Sequence, residues 1–331
     1  MLMQYNCKSF AFKGFLRIMK KYSIALLGAI LLIAIFFLFQ YSHRSIRQSA
    51  TVDSSEKKLL VVASFYPVAD FARRIGGDLV EVRMITPAGV EPHEYEPTPQ
   101  DRIDVYHARI FLYNGNGVDV WADKMKPDIE AKGILVLRMA DLVSSLPTEA
   151  HDSESMTYDP HVWLDPVNAI TEVEAITKAF IQTDPDHASQ YAQGRDVFVA
   201  ELRELDHQYV TGLATCATRT IVTSHNAFRY LAQRYQLDTR YILGLSPDEE
   251  PSPQRMAAIA DIAKKEHIGY IFFETLINPK LIQTLAREIG AQALTLNPLE
   301  SLSDVDIRAG KDYISLMKEN LAHLRTALTC Q

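Results

Sequence analysis

Cysteine is scarce in this chain, with three in 331 residues. None falls between the long apolar run near the N-terminus and Cys216, which excludes lipid attachment at a cysteine just after that run. Acidic residues are missing from the first fifty positions, which instead hold seven Lys or Arg. There is no His-Glu-x-x-His zinc-protease helix and no Gly-x-Ser-x-Gly nucleophile elbow, two signatures that a secreted hydrolase would be expected to offer. Short-period repeats and low-complexity tracts are absent as well. The excess of one sign is acidic. With the seven N-terminal cations set aside, 27 basic residues face 41 acidic ones, so the remaining body carries −14. A body of that charge argues against nucleic-acid binding, which needs a basic face, and suits a protein that gathers cations.

The apolar run itself spans Ser23–Phe39 and comes after Arg17, Lys20 and Lys21. Seventeen helical residues reach about 25 Å, near the lower limit for crossing a bilayer. Basic residues ahead of such a run keep the N-terminus in the cytoplasm and send the body of the chain across the membrane. Residues 1–22 are therefore expected to be cytoplasmic, 23–40 to form a transmembrane anchor or a signal sequence, and 41–57 to serve as a polar tether. An uncleaved anchor is favoured, because the run is long and has no small-x-small cleavage site after it. Cys216 and Cys330 then share an oxidising compartment, where two cysteines are expected to pair, the alternative being two free buried thiols.

From about Lys58 the pattern becomes that of an α/β fold, long enough for two lobes with separate cores. Short apolar runs at Leu59–Phe65, Val80–Thr86, Ala108–Tyr113 and Ile134–Arg138 read as buried parallel strands. A second set lies at Arg219–Thr223, Arg240–Leu245, Ile268–Phe273 and Gln292–Leu296. Thr98-Pro99, Asp165-Pro166 and Ser252-Pro253 are cap-then-proline helix starts. Between the two strand sets, residues 186–213 lack proline, and the only glycine before the last turn is Gly194. Tyr191, Val197, Phe198, Leu202, Leu205 and Tyr209 recur there at helical spacing, so one long rigid helix should join an N-terminal lobe at 58–185 to a C-terminal lobe at 214–331.

Of the ten histidines, three sit in a distinctive context. His93 comes after a predicted strand in Glu91-Pro92-His93-Glu94-Tyr95-Glu96-Pro97. His161 lies in Asp159-Pro160-His161-Val162-Trp163, just before a predicted helix. His225 lies in Ser224-His225-Asn226, where a strand gives way to a helix, and Glu300 comes after the last predicted strand in Asn297-Pro298-Leu299-Glu300. In open α/β sheets ligands collect at the C-terminal ends of the strands. Two positions per lobe would meet in an interlobe cleft. Three imidazoles and a carboxylate suit tetrahedral Zn²⁺, whereas manganese prefers more oxygen ligands. The same set would serve a catalytic zinc if water held one position. A manganese or iron carrier and a secreted zinc hydrolase thus stay open beside a zinc carrier. Glu274, at the end of a strand, is the reserve ligand. Glu94 and Glu96 are candidates to orient an imidazole, Asp165 reads as a helix cap before a ligand, and Trp163 and Phe228 should pack beneath the site. His151 reads as a solvated residue.

These motifs, with Ser64-Phe65-Tyr66-Pro67, Glu250-Pro251-Ser252, Phe273-Glu274 and Pro279-Lys280, resemble those of the cluster A-I (cluster 9) solute-binding proteins of zinc and manganese ABC importers, the zinc-uptake and lipoprotein-adhesin family. The resemblance covers Leu59 to the C-terminus. It implies two (β/α)₄-like lobes bridged by one long helix, His93 and His161 as ligands from the first lobe, and His225 and Glu300 from the second. It implies zinc over manganese, because manganese members usually carry Glu at the position of His225. It also implies a disulfide between Cys216 and Cys330, a cognate ABC permease as partner, a monomeric extracytoplasmic body and no enzymatic activity. The long His-rich loop of many zinc members is not matched here, since Pro147–Tyr158 holds a single histidine.

Overall fold

The computed structural model describes residues 58–148, 156–245, 247, 253–274 and 279–331. The apolar run, the tether, His151, the Ser252 cap and the Glu250-Pro251-Ser252 motif lie outside the described residues, among which no helix is long and apolar enough to cross a membrane.

The first half is built on a parallel sheet of β1 (Leu59–Ala63), β2 (Val80–Met84), β3 (Ile110–Tyr113) and β4 (Leu135–Arg138), ordered β2-β1-β3-β4. Register runs Leu59 to Val80, Val61 to Ile110 and Ile110 to Leu135. Alternation along these strands feeds two cores, as period-two side chains must. Val61, Ala63, Ile110 and Leu112 point into one cluster with Phe71 of α1 (Tyr66–Gly76). Val62, Phe111 and Tyr113 point into another, with Val105 of α2 (Pro99–His107) and Trp121 of α3 (Val120–Ala131). Thr98 caps α2 in a reciprocal box with Asp101, and Asp165 caps α4 (Pro166–Thr183) by accepting from Val167 N at 2.9 Å. Both caps leave the preceding loop a fixed exit direction.

After a short 3₁₀ turn at Pro185–His187 comes the long helix α5 (Ala188–Gly212), with 25 residues. It buries Tyr191, Phe198, Leu202, Leu205 and Tyr209, while Val197 stays 58% exposed. Gly194 lies where α5 crosses the end of α1, and a Cβ there would sit 2.3 Å from the Ile75 carbonyl oxygen.

The second half carries β5 (Thr220–Thr223), β6 (Asp238–Tyr241), β7 (Tyr270–Phe273) and β8 (Gln292–Thr295) in two parallel pairs, β5-β6 and β7-β8, with β5 beside β7. Helices α6 (Arg229–Tyr235), α7 (Pro253–Lys265), α8 (Pro279–Ile289), α9 (Asp304–Arg308) and α10 (Tyr313–Ala327) complete it. Strand β6 starts earlier than its apolar run predicts. Ile242 and Leu243 are buried just past it, yet they still donate to the carbonyls of Thr223 and Ser224 at 3.1 and 2.8 Å. Cys216 and Cys330 form a disulfide that ties the end of the chain to the start of this half.

The cores are not separate in the way chain length suggests. The largest apolar cluster contains Phe65, Phe71 and Trp163 from the first half, Phe198 and Tyr209 from α5, and Phe228, Leu299 and Tyr313 from the second. Polar straps reinforce it. Trp163 Nε1 donates to the Pro298 carbonyl at 2.8 Å, and the Tyr313 hydroxyl donates to the Trp163 carbonyl at 2.6 Å. Arg74 of α1 meets Asp70 at 3.1 Å, Glu201 of α5 at 2.7 Å and Asp312, the cap of α10.

Candidate metal centre

Four loops at the strand ends each deliver one side chain to the same place. The loop after β2 carries His93. Its Gly89 N donates to Ser301 Oγ of the other half at 2.8 Å, and His93 N donates to Glu91 Oε1 at 3.3 Å. His161 ends a segment pinned from three sides: Asp159 N donates to the Leu146 carbonyl, Tyr230 Oη to the Asp159 carbonyl, and Asn114 Nδ2, at the end of β3, to the Pro160 carbonyl. His225 stands after β5 on a loop whose next residue, Asn226, donates to the Gly244 carbonyl at 2.9 Å, so the ladder with β6 continues past the named strands and holds the imidazole.

Glu300 stands on a strained turn. Leu299 adopts φ +59°, a left-handed conformation that branched or bulky residues adopt only when their surroundings impose it. The surroundings here are Asn297 and Asn320 of α10. Asn297 Oδ1 accepts from Leu299 N at 2.8 Å, and Asn320 both accepts from Asn297 N and donates to its carbonyl, at 2.8 and 2.7 Å.

The four side chains converge. Glu300 Oε1 lies 3.5 Å from His93 Nε2, 3.2 Å from His161 Nε2 and 3.6 Å from His225 Nε2. The Nε2 atoms of His161 and His225 are 3.3 Å apart. Ligands at about 2.0–2.1 Å around tetrahedral zinc are separated by about 3.3–3.4 Å along each edge. The four separations just given, 3.2–3.6 Å, lie close to such an edge. The set is also almost wholly buried, with side-chain exposure of 2% or less for all four. Yet neither ring nitrogen of His93 nor either oxygen of Glu300 has a well-directed hydrogen bond among the described residues. Buried polar atoms left this way are costly unless something else satisfies them, and a cation bound between them would.

Charge obeys the same geometry. Burial works to raise the Glu300 carboxyl, but the three close imidazoles outweigh it and hold the group well below the usual carboxylate range. Burial disfavours the His225 imidazolium, yet Glu274 and Glu300 push its pKa well above the ordinary value. His161 is raised against burial by Asp159 and Glu300. His93 is lowered by burial. Glu91, half-buried, is pushed up to about 10 by partial burial and by the Glu300 charge.

The reserve candidates fall elsewhere. Glu274 is buried behind His225, its Oε1 2.5 Å from Nδ1 and also accepting from Ser224 Oγ. Asp165 is occupied by the α4 cap and by Arg234, whose Nη2 approaches to 2.7 Å. Glu94 and Glu96 are exposed and make no hydrogen bond or ion pair to the four, which removes them as orienting groups. The acids that do serve this loop system are Glu91 and Asp159. Each precedes its histidine by two residues across a proline, a symmetry present in the sequence but masked by the acids that come after His93. Trp163 packs against His161 with ring centroids 5.3 Å apart, and Phe228 is buried just beyond His225.

Characterised proteins similar to this chain bear zinc-binding names. The zinc-binding lipoprotein AdcA of Streptococcus pneumoniae is 36% identical over 283 residues, 82% of this chain and 56% of the relative. The chain thus spans little more than half the length of that protein. The high-affinity zinc uptake system protein ZnuA of Bacillus subtilis is 36% identical over 310 residues, covering 91% of this chain and 97% of the relative. The crystal structure of the Zn(II)-bound ZnuA-like domain of Streptococcus pneumoniae AdcA superposes with a TM-score of 0.73 at 36% identity, over 82% of this chain and 99% of that one. The model of the zinc-uptake complex component A periplasmic family matches residues 61–327, and it is to this family that the chain belongs.

Proposed function

We propose that the chain is an extracytoplasmic solute-binding protein that captures one Zn²⁺ as cargo through His93, His161, His225 and Glu300 and hands it to a membrane ABC permease. The observation that carries this reading is the spacing of the donor atoms, 3.2–3.6 Å between Glu300 Oε1 and three Nε2 atoms, drawn from loops of both halves. Three neutral imidazoles and one carboxylate leave a zinc ion with one net positive charge and a closed shell. A closed shell suits carriage, whereas a hydrolase needs an open position for water. The lobes run over 58–185 and 214–331 with residues 186–213 as the bridge, and the segment before residue 58 attaches the body to the outer face of the membrane. Relatives named as zinc-binding lipoproteins and as a zinc uptake protein support the same placement.

Isothermal titration of the metal-free protein tests the proposal. One Zn²⁺ per chain is expected, with Mn²⁺ unable to displace it at equal concentration. His225→Ala should weaken zinc by several orders of magnitude, since it removes one of four ligands and leaves the others unchanged. Retention of wild-type affinity in that variant would reject the ligand assignment.

A further inference from the structure

The three imidazoles at the centre are not supported alike. His225 presents Nε2 to the cluster, 3.3 Å from His161 Nε2, while its Nδ1 meets Glu274 Oε1 at 2.5 Å. The same Glu274 oxygen accepts the hydroxyl of Ser224, the residue before His225. Glu274 is 3% exposed. His161 presents Nε2 in the same way, and its Nδ1 meets Asp159 Oδ1 at 2.9 Å, an oxygen that also accepts the His161 backbone N–H at 3.0 Å. His93 has no such carboxylate, and its Nδ1 has no hydrogen-bond partner among the described residues.

Glu274 could in principle be a ligand itself, because one of its oxygens lies within 4.8 Å of donor atoms of His225 and Glu300. The direction of its contacts argues otherwise. Its near oxygen is already shared between Nδ1 and the Ser224 hydroxyl, and it is Nε2, not Nδ1, that approaches His161 Nε2 and Glu300 Oε1. A carboxylate there fixes the proton on Nδ1, keeps the Nε2 lone pair facing the cluster and makes the imidazole more basic toward a metal.

We infer that Glu274 is a positioning residue: it holds the ring and tautomer of His225 from behind, as Asp159 does for His161, and does not itself touch the ion. The inference rests on the proposed zinc site. It divides that site into a braced pair, His161 and His225, and an unbraced third imidazole, His93.

The test compares Glu274→Ala, Glu274→Gln and Ser224→Ala in the full chain, titrated with Zn²⁺ and, separately, with Co²⁺ to read the visible ligand-field spectrum. Glu274→Ala should weaken zinc by about 10–100-fold, the usual cost of losing an outer carboxylate. Glu274→Gln, whose amide oxygen still accepts from Nδ1, should recover most of that loss, and Ser224→Ala should cost only a few-fold. The Co²⁺ band positions should stay those of the wild type in all three. Zinc affinity within twofold of wild type in Glu274→Ala would overturn the inference. So would a Co²⁺ spectrum altered in Glu274→Gln to the same degree as in His225→Ala, because that marks a lost ligand. Thermal melts of the metal-free variants identify any that fail to fold, and Ser224→Ala keeps the test open if Glu274→Ala does. If the wild type itself takes up no zinc, the zinc-site reading fails; if the wild type binds and the variants behave otherwise than stated, only the role of Glu274 fails.

Discussion

Glu172 is a carboxyl group that the site does not use. It lies in the middle of α4, fully buried, and neither of its oxygens is hydrogen-bonded among the described residues. Burial, with Asp165 nearby, pushes it up to about 8 from its ordinary 4.5. A folded-state pKa above the unfolded one means that the native protein binds the extra proton. The stability held by the neutral acid is complete below about pH 4.5 and falls away as pH rises through about 8. A shift of this size corresponds to a loss on the order of 3–5 kcal/mol across that window. Thermal melts between pH 5 and 9 should show a falling Tm in the wild type, and Glu172→Gln, neutral throughout, should flatten the profile. An equally steep fall in the variant would assign the effect to other groups.

At this same scale the candidate ligands are legible in the sequence because they stand in short, unusual strings at strand ends. Their supports are not. Whether Glu91 or Glu94 turns inward depends on backbone angles of one loop, and the string Glu-Pro-His-Glu offers an acid on either side. The left-handed Leu299 is likewise invisible in sequence, since leucine carries no preference for that region and the cause is Asn320, distant along the chain.

Among the elements, α5 is the easiest to read, and the predicted span 186–213 differs from the observed Ala188–Gly212 only at its ends. Sequence periodicity cannot reveal why Gly194 interrupts it. Inside a helix, alanine is ordinarily better than glycine by about 1 kcal/mol. Here the added methyl would meet the Ile75 carbonyl at 2.3 Å, far inside van der Waals contact and against rigid backbone. Gly194→Ala should therefore destabilise the protein, by about 1–3 kcal/mol as α5 is levered off α1. Chemical denaturation measures this directly, and a more stable variant would show that the two helices separate freely. The β6 boundary differs from its predicted place for a related reason. The apolar run Tyr241–Leu245 reflects burial, and burial continues past the strand into the segment that supports His225.

For the molecule as a whole, two devices tie distant parts of the chain together. The Cys216–Cys330 disulfide closes a separation of 114 residues, and crosslinks of that reach stabilise by roughly 2–5 kcal/mol. Replacing both cysteines by serine should lower the Tm accordingly while zinc stoichiometry stays at one. A change in stoichiometry would tie the bridge to the site. The second device is the apolar cluster shared by both halves and α5, with Phe71, Phe198 and Tyr313 packed ring against ring at 5.0–5.4 Å. Calorimetry should record one cooperative transition, shifted upward by zinc in proportion to the logarithm of its free concentration over Kd.

That shared interior has a consequence for protein engineering. Both halves are built on parallel strands, which invites the idea of swapping one of them between relatives to change metal preference. Such chimeras would join surfaces that never matured against each other, with the seam running through Trp163, Leu299 and Tyr313 beside the loops that carry the candidate ligands. Metal preference is therefore better transplanted loop by loop than half by half.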